Sequence, residues 1–137
     1  GTRQVSEPRW ISKLALVLLH AESLAEHGGA EGIRDEGLLE SALARPLNLY
    51  SYEGVTDPAR LAACYAFGLA RNHAFVDGNK RAAFLSIGLF LALNGYELDA
   101  DQVEATRVIF HLAGGQLSEE ALAEWIAGHI AASTDTD

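Results

Sequence analysis

Apolar residues recur at helical spacing along most of the chain. From Ile11 to Glu26, Leu14, Val17, Leu18, Ala21, Leu24 and Ala25 fall at such a spacing, which predicts an amphipathic helix closed by Gly28-Gly29. A second helix is predicted from about Asp35 to Leu43, with Leu38, Leu39 and Ala42 inward and Pro46 stopping it. Leu47–Val55 has strand-type residues without a helical period and reads as an irregular surface loop or a short β-hairpin. Asp57-Pro58 marks the next start, with Asp as cap and Pro supplying the first helical φ. That third helix carries Leu61, Cys64, Tyr65, Phe67, Gly68 and Leu69 to about Arg71. A fourth opens near Asn79-Lys80, runs to Leu93 and closes at Asn94-Gly95. It is apolar on nearly every face after Arg81 and is expected at the centre of the fold. Asp99 with Gln102 predicts a capping box and a fifth helix to about Ala113, ended by Gly114-Gly115. Ser118-Glu119-Glu120 opens a last helix with Leu122, Trp125, Ile126 and Ile130, and the ends, Gly1–Glu7 and Ser133–Asp137, are polar. The expectation is an all-α fold. One domain spans 1–137, a compact helical bundle around a central apolar helix, with Leu47–Val55 its one irregular or hairpin-like flap.

Composition narrows the class. Nearly half the residues, 49%, are hydrophobic, with Ala and Leu dominant, which favours helix. A net charge of −9 argues against direct nucleic-acid binding, which needs a basic face. The single cysteine, Cys64, excludes an internal disulfide, and its apolar neighbours predict an inert buried thiol. No window reaches the ~18–20 apolar residues of a membrane span, and no signal-peptide pattern is seen, so the expected address is the cytoplasm. With no methionine in the chain, the start at Gly1-Thr2 reads as processed, trimmed or altered.

Between the apolar runs Leu61–Ala70 and Ala82–Leu93 lies Arg71-Asn72-His73-Ala74-Phe75-Val76-Asp77-Gly78-Asn79-Lys80-Arg81. A connection this short and this polar, entering a very apolar helix, reads as a site. The first N–H groups of the helix it enters have no intrahelical partners, and the helix dipole favours an anion there by ~0.3–1 kcal/mol. Gly78 permits close backbone approach, and Asn79 can cap or donate. Lys80 and Arg81 put two cations where the dipole prefers acids, and a bound phosphate would compensate them. Asp77, beside that cradle, would repel a polyphosphate unless a cation such as Mg²⁺ bridged them. His73 suits the role of general base at neutral pH. Base, metal carboxylate, cradle and cations together describe transfer from a nucleotide to a hydroxyl.

Taken singly, each residue has an ordinary explanation. His73 can end a helix, Asp77 and Gly78 can make a turn, and Lys80 and Arg81 can be solvated charges. Their joint order is what those separate explanations do not predict. Elsewhere the signals are weaker. His20, His27, His111 and His129 form no zinc pattern with Cys64 or the acids. Trp10 and Trp125 read as core or groove aromatics.

His73-Ala74-Phe75-Val76-Asp77-Gly78-Asn79-Lys80-Arg81 resembles the signature of the Fic/Doc family in the form carried by its Doc (death-on-curing) toxins. The Fic pattern is His-x-Phe-x-Asp/Glu-Gly-Asn-Gly-Arg-x-x-Arg, and the Doc pattern is His-x-Phe-x-Asp/Asn-Ala/Gly-Asn-Lys-Arg. Lys80 stands where Fic enzymes have glycine and Phe84 where they have the second arginine, so both departures point to the Doc branch. Gly32-Ile33-Arg34-Asp35, Gly37-Leu38-Leu39-Glu40-Ser41-Ala42 and Arg45-Pro46 are similar to the N-terminal half of Doc-like proteins.

The resemblance implies the toxin of a toxin–antitoxin pair that uses Mg²⁺ and ATP. Fic enzymes usually transfer AMP, whereas Doc toxins phosphorylate a threonine of translation elongation factor Tu. Lys80 fills the room that glycine would leave for a diphosphate, so the nucleotide is expected reversed, with its γ-phosphorus toward the hydroxyl. On this reading His73 is the base, Asp77 holds Mg²⁺, and Gly78, Asn79, Lys80 and Arg81 hold phosphates. Arg71 is a further candidate for phosphate or substrate contact. Leu47–Tyr52 falls where family members carry a flap that pairs with the target. The self-inhibiting pattern of Fic enzymes, Ser/Thr-x-x-x-Glu-Gly/Asn, is missing, because Glu31-Gly32 follows His27 and Glu53-Gly54 follows Leu49 at the required spacing. Inhibition is therefore expected in trans, from a small antitoxin whose C-terminal segment folds on the toxin. The alternatives are AMP transfer, disfavoured by Lys80, and a non-catalytic partner-binding module, which would have no need of His73.

Overall fold

The computed structural model of the chain describes residues 7–133. The loose start expected at Gly1–Glu7 and the polar tail at Ser133–Asp137 lie outside the described residues except for Glu7 and Ser133. The elements are α1 (Lys13–His27), α2 (Glu36–Glu53), α3 (Pro58–Asn72), α4 (Asn79–Leu93), β1 (Tyr96–Leu98), α5 (Gln102–Ala113), α6 (Glu119–Ala127) and β2 (Ile130–Ala132). The fold is helical, with β1 and β2 forming a two-stranded antiparallel ribbon in which Tyr96 faces Ala132 and Leu98 faces Ile130.

The central helix is α3, not α4. Its side chains are small: Ala59, Ala62, Ala63, Ala66, Gly68 and Ala70 are all buried. Small residues let neighbours approach from several sides, and α2, α4, α5 and α6 all pack on it. At the closest point a Cβ on Gly68 would stand 3.3 Å from Ala42 Cα. Helix α4 carries the larger apolar side chains and lies beside α3, with Ile87, Phe90 and Leu91 buried. Phe90 tilts against Tyr65, at 5.3 Å between ring centroids.

Where start signals are local, chemistry and structure coincide. Asp57 accepts from Ala59 N at 3.1 Å with Pro58 next, and Ser118 accepts from Ala121 N at 3.0 Å. The α5 cap is different, being Asp101 rather than Asp99. Asp99 N donates to His129 O at 2.7 Å, so it continues the pairing of the ribbon just past β1 and does not cap α5. Ile130 likewise lies in β2 rather than α6, which ends at Ala127 with Gly128 as its cap.

The expected loop or hairpin at Leu47–Val55 does not form. Helix α2 continues through Pro46 to Glu53 and ends on left-handed Gly54. An interior proline forfeits one hydrogen bond and strains the preceding turn, at about 3 kcal/mol. Packing on both sides of Pro46 offsets it. Leu39, Ala42 and Pro46 are buried. Arg45 donates to Cys64 O at 2.9 Å and to Glu119 Oε1 at 2.8 Å. Beyond the proline, Tyr50 meets Trp10 edge-on at 5.6 Å.

In α1 the inward face also differs from the expected one. Leu14 and Leu18 are 68% and 59% exposed, whereas Leu16, His20, Ser23 and Leu24 are buried. A histidine can occupy that face only with a partner, and the partner lies in the site. Cys64 is buried as expected, and burial pushes its thiol up to about 12, which leaves no thiolate for chemistry. No helix among the described residues is long and apolar enough to cross a membrane.

Candidate active site

The site is the seam between α3 and α4. Helix α3 ends at Asn72, and His73 follows with φ 52° and ψ 47°. It is the one non-glycine residue at positive φ among the described residues. For an L-residue this conformation costs roughly 1–2 kcal/mol. What holds it is a segment from far earlier in the chain. Arg34 Nε donates to His73 O at 2.7 Å and its Nη2 to Asn72 O at 3.3 Å, placing a cation at the carbonyl end of α3. The N–H groups of Arg34 and Asp35 both reach Ala74 O, at 2.7 and 3.0 Å, and Val76 N donates to Gly32 O at 3.0 Å. Ile33 and Phe75 thereby form a β-bridge. Buried Ala74 and Phe75 anchor the loop, while the exposed His73 ring has no hydrogen-bond partner among the described residues.

A second set of contacts fixes the other half of the loop. Asn79 Oδ1 accepts from Phe75 N at 3.0 Å, and its Nδ2 donates to Phe75 O at 3.1 Å. The amide proposed to hold phosphate is thus engaged in closing the loop, and Asn79 faces a ligand chiefly with its backbone N–H. His20 is stacked on Phe75, at 3.8 Å between centroids, and its Nε2 lies 2.8 Å from Asp77 O. A carbonyl only accepts, so Nε2 carries the proton. Gly78 follows at φ 73°, over these side chains, and a Cβ there would stand 3.0 Å from His20 Nε2 and 3.1 Å from Leu24 Cδ2. Glycine is required here both by conformation and by space.

Helix α4 then begins. Its first i→i−4 bond runs from Ala82 N to Gly78 O at 2.9 Å, so the N–H groups of Asn79, Lys80 and Arg81 precede the ladder. Neither Lys80 nor Arg81 pairs with a carboxylate among the described residues. Lys80 Nζ lies instead over the Phe110 ring, 5.8 Å from its centroid. A groove of about 620 Å³ brings together His73, Asp77, Gly78, Asn79, Lys80 and Arg81, with Val76 and Ala70 on their side and Phe110, Ala113 and Gly114 of the α5 end opposite. Its size falls within the ~300–1,000 Å³ of small-molecule sites. Arg71 is not among the lining residues. Its guanidinium stands over Phe67, 5.6 Å from the ring centroid.

Asp77 Oδ1 accepts from Gly78 N at 2.8 Å and Oδ2 from Ala30 N at 3.3 Å. A carboxylate has about four lone-pair sites, so each oxygen keeps one for a cation. Among the described residues no three His, Cys, Asp or Glu side chains converge on a metal position. The donors present therefore fit Mg²⁺ held by one carboxylate and by substrate phosphates, and do not fit an all-protein cage.

Three contributors escaped sequence reading. Arg34 and His20 reach the loop from 39 and 57 positions away, which no local pattern reports. His20 did leave a trace, as a polar residue four after Leu16 and four before Leu24. Phe110, 62% exposed, forms the opposite wall.

The sequence is similar to known proteins over most of its length. The sequence model of the Fic/DOC family matches residues 10–91. The chain is 34% identical over 116 residues to "Protein kinase doc" of Escherichia phage P1, covering 85% of this chain and 91% of that one. It is 38% identical over 119 residues to "Toxin Doc" of Mycolicibacterium smegmatis, with the same coverage of each.

Proposed function

Because the chain belongs to the Fic/Doc family, we propose that it is the toxin of a toxin–antitoxin pair and transfers the γ-phosphate of ATP to a protein hydroxyl. The target we assign is a threonine of elongation factor Tu, so that translation stops. The names of the two relatives, one a kinase and one a toxin, support both halves of the reading.

His73 takes the proton from the attacking hydroxyl as its oxygen bonds to the γ-phosphorus. The bond from that phosphorus to the bridging oxygen breaks, and ADP leaves with the electron pair. The N–H groups opening α4, with Lys80 and Arg81, hold the phosphates and offset their charge. Asp77 would hold Mg²⁺, which when bound would neutralise part of the phosphate charge. Arg34, His20 and the Asn79 amide keep base and carboxylate at fixed separation, and that preorganisation lowers the barrier. The observation that carries phosphoryl rather than AMP transfer is Lys80, whose side chain lies in the groove with its ammonium over Phe110. Glycine there would leave this space open.

The toxin relative supports a small antitoxin as the partner, and we assign its inhibition to a C-terminal segment that folds onto the toxin.

Induced expression in a bacterium, without antitoxin, should halt amino-acid incorporation before RNA or DNA synthesis slows. Growth and incorporation at control rates, with the protein soluble and folded, would contradict the reading.

A further inference from the structure

The turn between α1 and α2, Gly28-Gly29-Ala30-Glu31-Gly32, reaches the site from far earlier in the chain. Ala30 N donates to Asp77 Oδ2 at 3.3 Å, while Gly78 N donates to Oδ1 at 2.8 Å. Resting on the nucleotide reading above, we propose that this turn positions the metal carboxylate: the Ala30 N–H sets the orientation in which Asp77 meets Mg²⁺.

Asp77 is exposed, so packing does little to fix its side chain. Its bond to Gly78 N is local and moves with the loop. A second bond, to the other oxygen and from a separate element, fixes the plane of the carboxylate, and groups that hold a ligand in this way set its grip on a metal. The turn is itself pinned at both ends. Gly28 N donates to Leu24 O at 2.7 Å, on α1, and Gly32 O accepts from Val76 N at 3.0 Å, on the loop that carries Asp77. At 3.3 Å the Ala30 bond is longer than the ~2.9–3.0 Å typical of N–H···O bonds. It therefore orients the oxygen while taking up little of the negative charge that a cation needs.

Gly29 makes the approach possible. Its φ is 127°, and a Cβ there would stand 2.7 Å from Leu24 Cδ2 and 3.1 Å from Asp77 Oδ2. Any side chain would push against the oxygen that Ala30 holds. Glycines are common where helices end and need no further role, and Gly28, the α1 cap, is of that kind. Its φ is 88°, and nothing lies within 4 Å of its would-be Cβ. Gly29 differs from this neighbour in facing the carboxylate.

The test separates the metal from the nucleotide. Calorimetric titration of the full chain with ATP, in excess Mg²⁺ and in EDTA, is compared between wild type, Gly29→Ala and Gly28→Ala. The wild type is expected to bind ATP more tightly with Mg²⁺. Gly29→Ala should lose most of that gain, roughly 10- to 100-fold, the usual effect of removing a group that orients a metal ligand, with affinity for metal-free ATP unchanged. Gly28→Ala strains the same turn at positive φ and should keep both affinities. A protein in which the Ala30 amide is replaced by an ester lacks the N–H and adds no Cβ. It should show the same Mg²⁺-specific loss, and it decides the matter alone if Gly29→Ala does not fold. Unchanged Mg-ATP affinity in the ester protein, equal loss with and without Mg²⁺, or the same loss in Gly28→Ala would overturn the positioning role and leave the phosphoryl-transfer reading standing. A wild type that binds ATP equally with and without Mg²⁺, or not at all, would overturn the Mg-nucleotide reading of the site, and the positioning role with it.

Discussion

Replacing His73 by alanine should lower phosphoryl transfer by roughly 10²–10⁴-fold, the usual contribution of a positioned general base. Stability should change by no more than about 0.5 kcal/mol, typical of exposed positions. The reason lies in how the residue is held. The loop is fixed through backbone atoms of residues 72–76, by Arg34, Gly32 and Asn79, and none of those bonds uses the imidazole. Alanine keeps a Cβ, so the cost of the left-handed conformation at φ 52° is also kept. Nucleotide affinity should be preserved, because the phosphates are held by α4. Single-turnover rates with saturating Mg-ATP, alongside urea unfolding of both proteins, check this. Equal loss of rate and of nucleotide binding would mean that His73 shapes the site and does not move the proton.

Replacing Gly78 by alanine should damage fold and rate together. A left-handed alanine costs about 1–2 kcal/mol by itself. The added Cβ would also sit 3.0 Å from His20 Nε2 and 3.1 Å from Leu24 Cδ2, both on buried side chains of α1 with little room to retreat. Either His20 leaves Asp77 O or the loop lifts, and both displace the carboxylate assigned to Mg²⁺. A shift of ~1 Å at a reacting group can cost 10²-fold in rate. Gly54→Ala is the control. Its φ is 68°, nearly the same, but nothing lies within 4 Å of its would-be Cβ. Urea unfolding should show Gly78→Ala less stable than Gly54→Ala, with transfer impaired only in the former. Equal destabilisation of the two would mean that the contact with His20 carries no strain.

These cases also show what was legible in the sequence. The residues from His73 to Arg81 are contiguous, so their joint chemistry could be read directly. The caps at Asp57 and Ser118 were readable for the same reason, since capping bonds reach two or three residues. Contacts made over distance were not readable. Asp99 has the chemistry of a cap, but His129 O, just before β2, takes its N–H, and Pro46 has that of a stop, but packing against α3 and Trp10 outweighs its missing bond. Hydropathy placed α4 at the centre because its side chains are large. Close approach favours small ones, and the alanines of α3 won that position. Hydropathy alone does not tell exposed Leu14 and Leu18 from the buried face of α1, which runs through His20, whose partner is 57 residues away.

The most direct test of the central claim is the intact mass of purified elongation factor Tu after incubation with this protein and Mg-ATP. The account predicts an added mass of about 80 Da, one phosphoryl group, on a threonine, and none with the His73→Ala protein. An added mass of about 329 Da, one AMP, or an unchanged factor would contradict it.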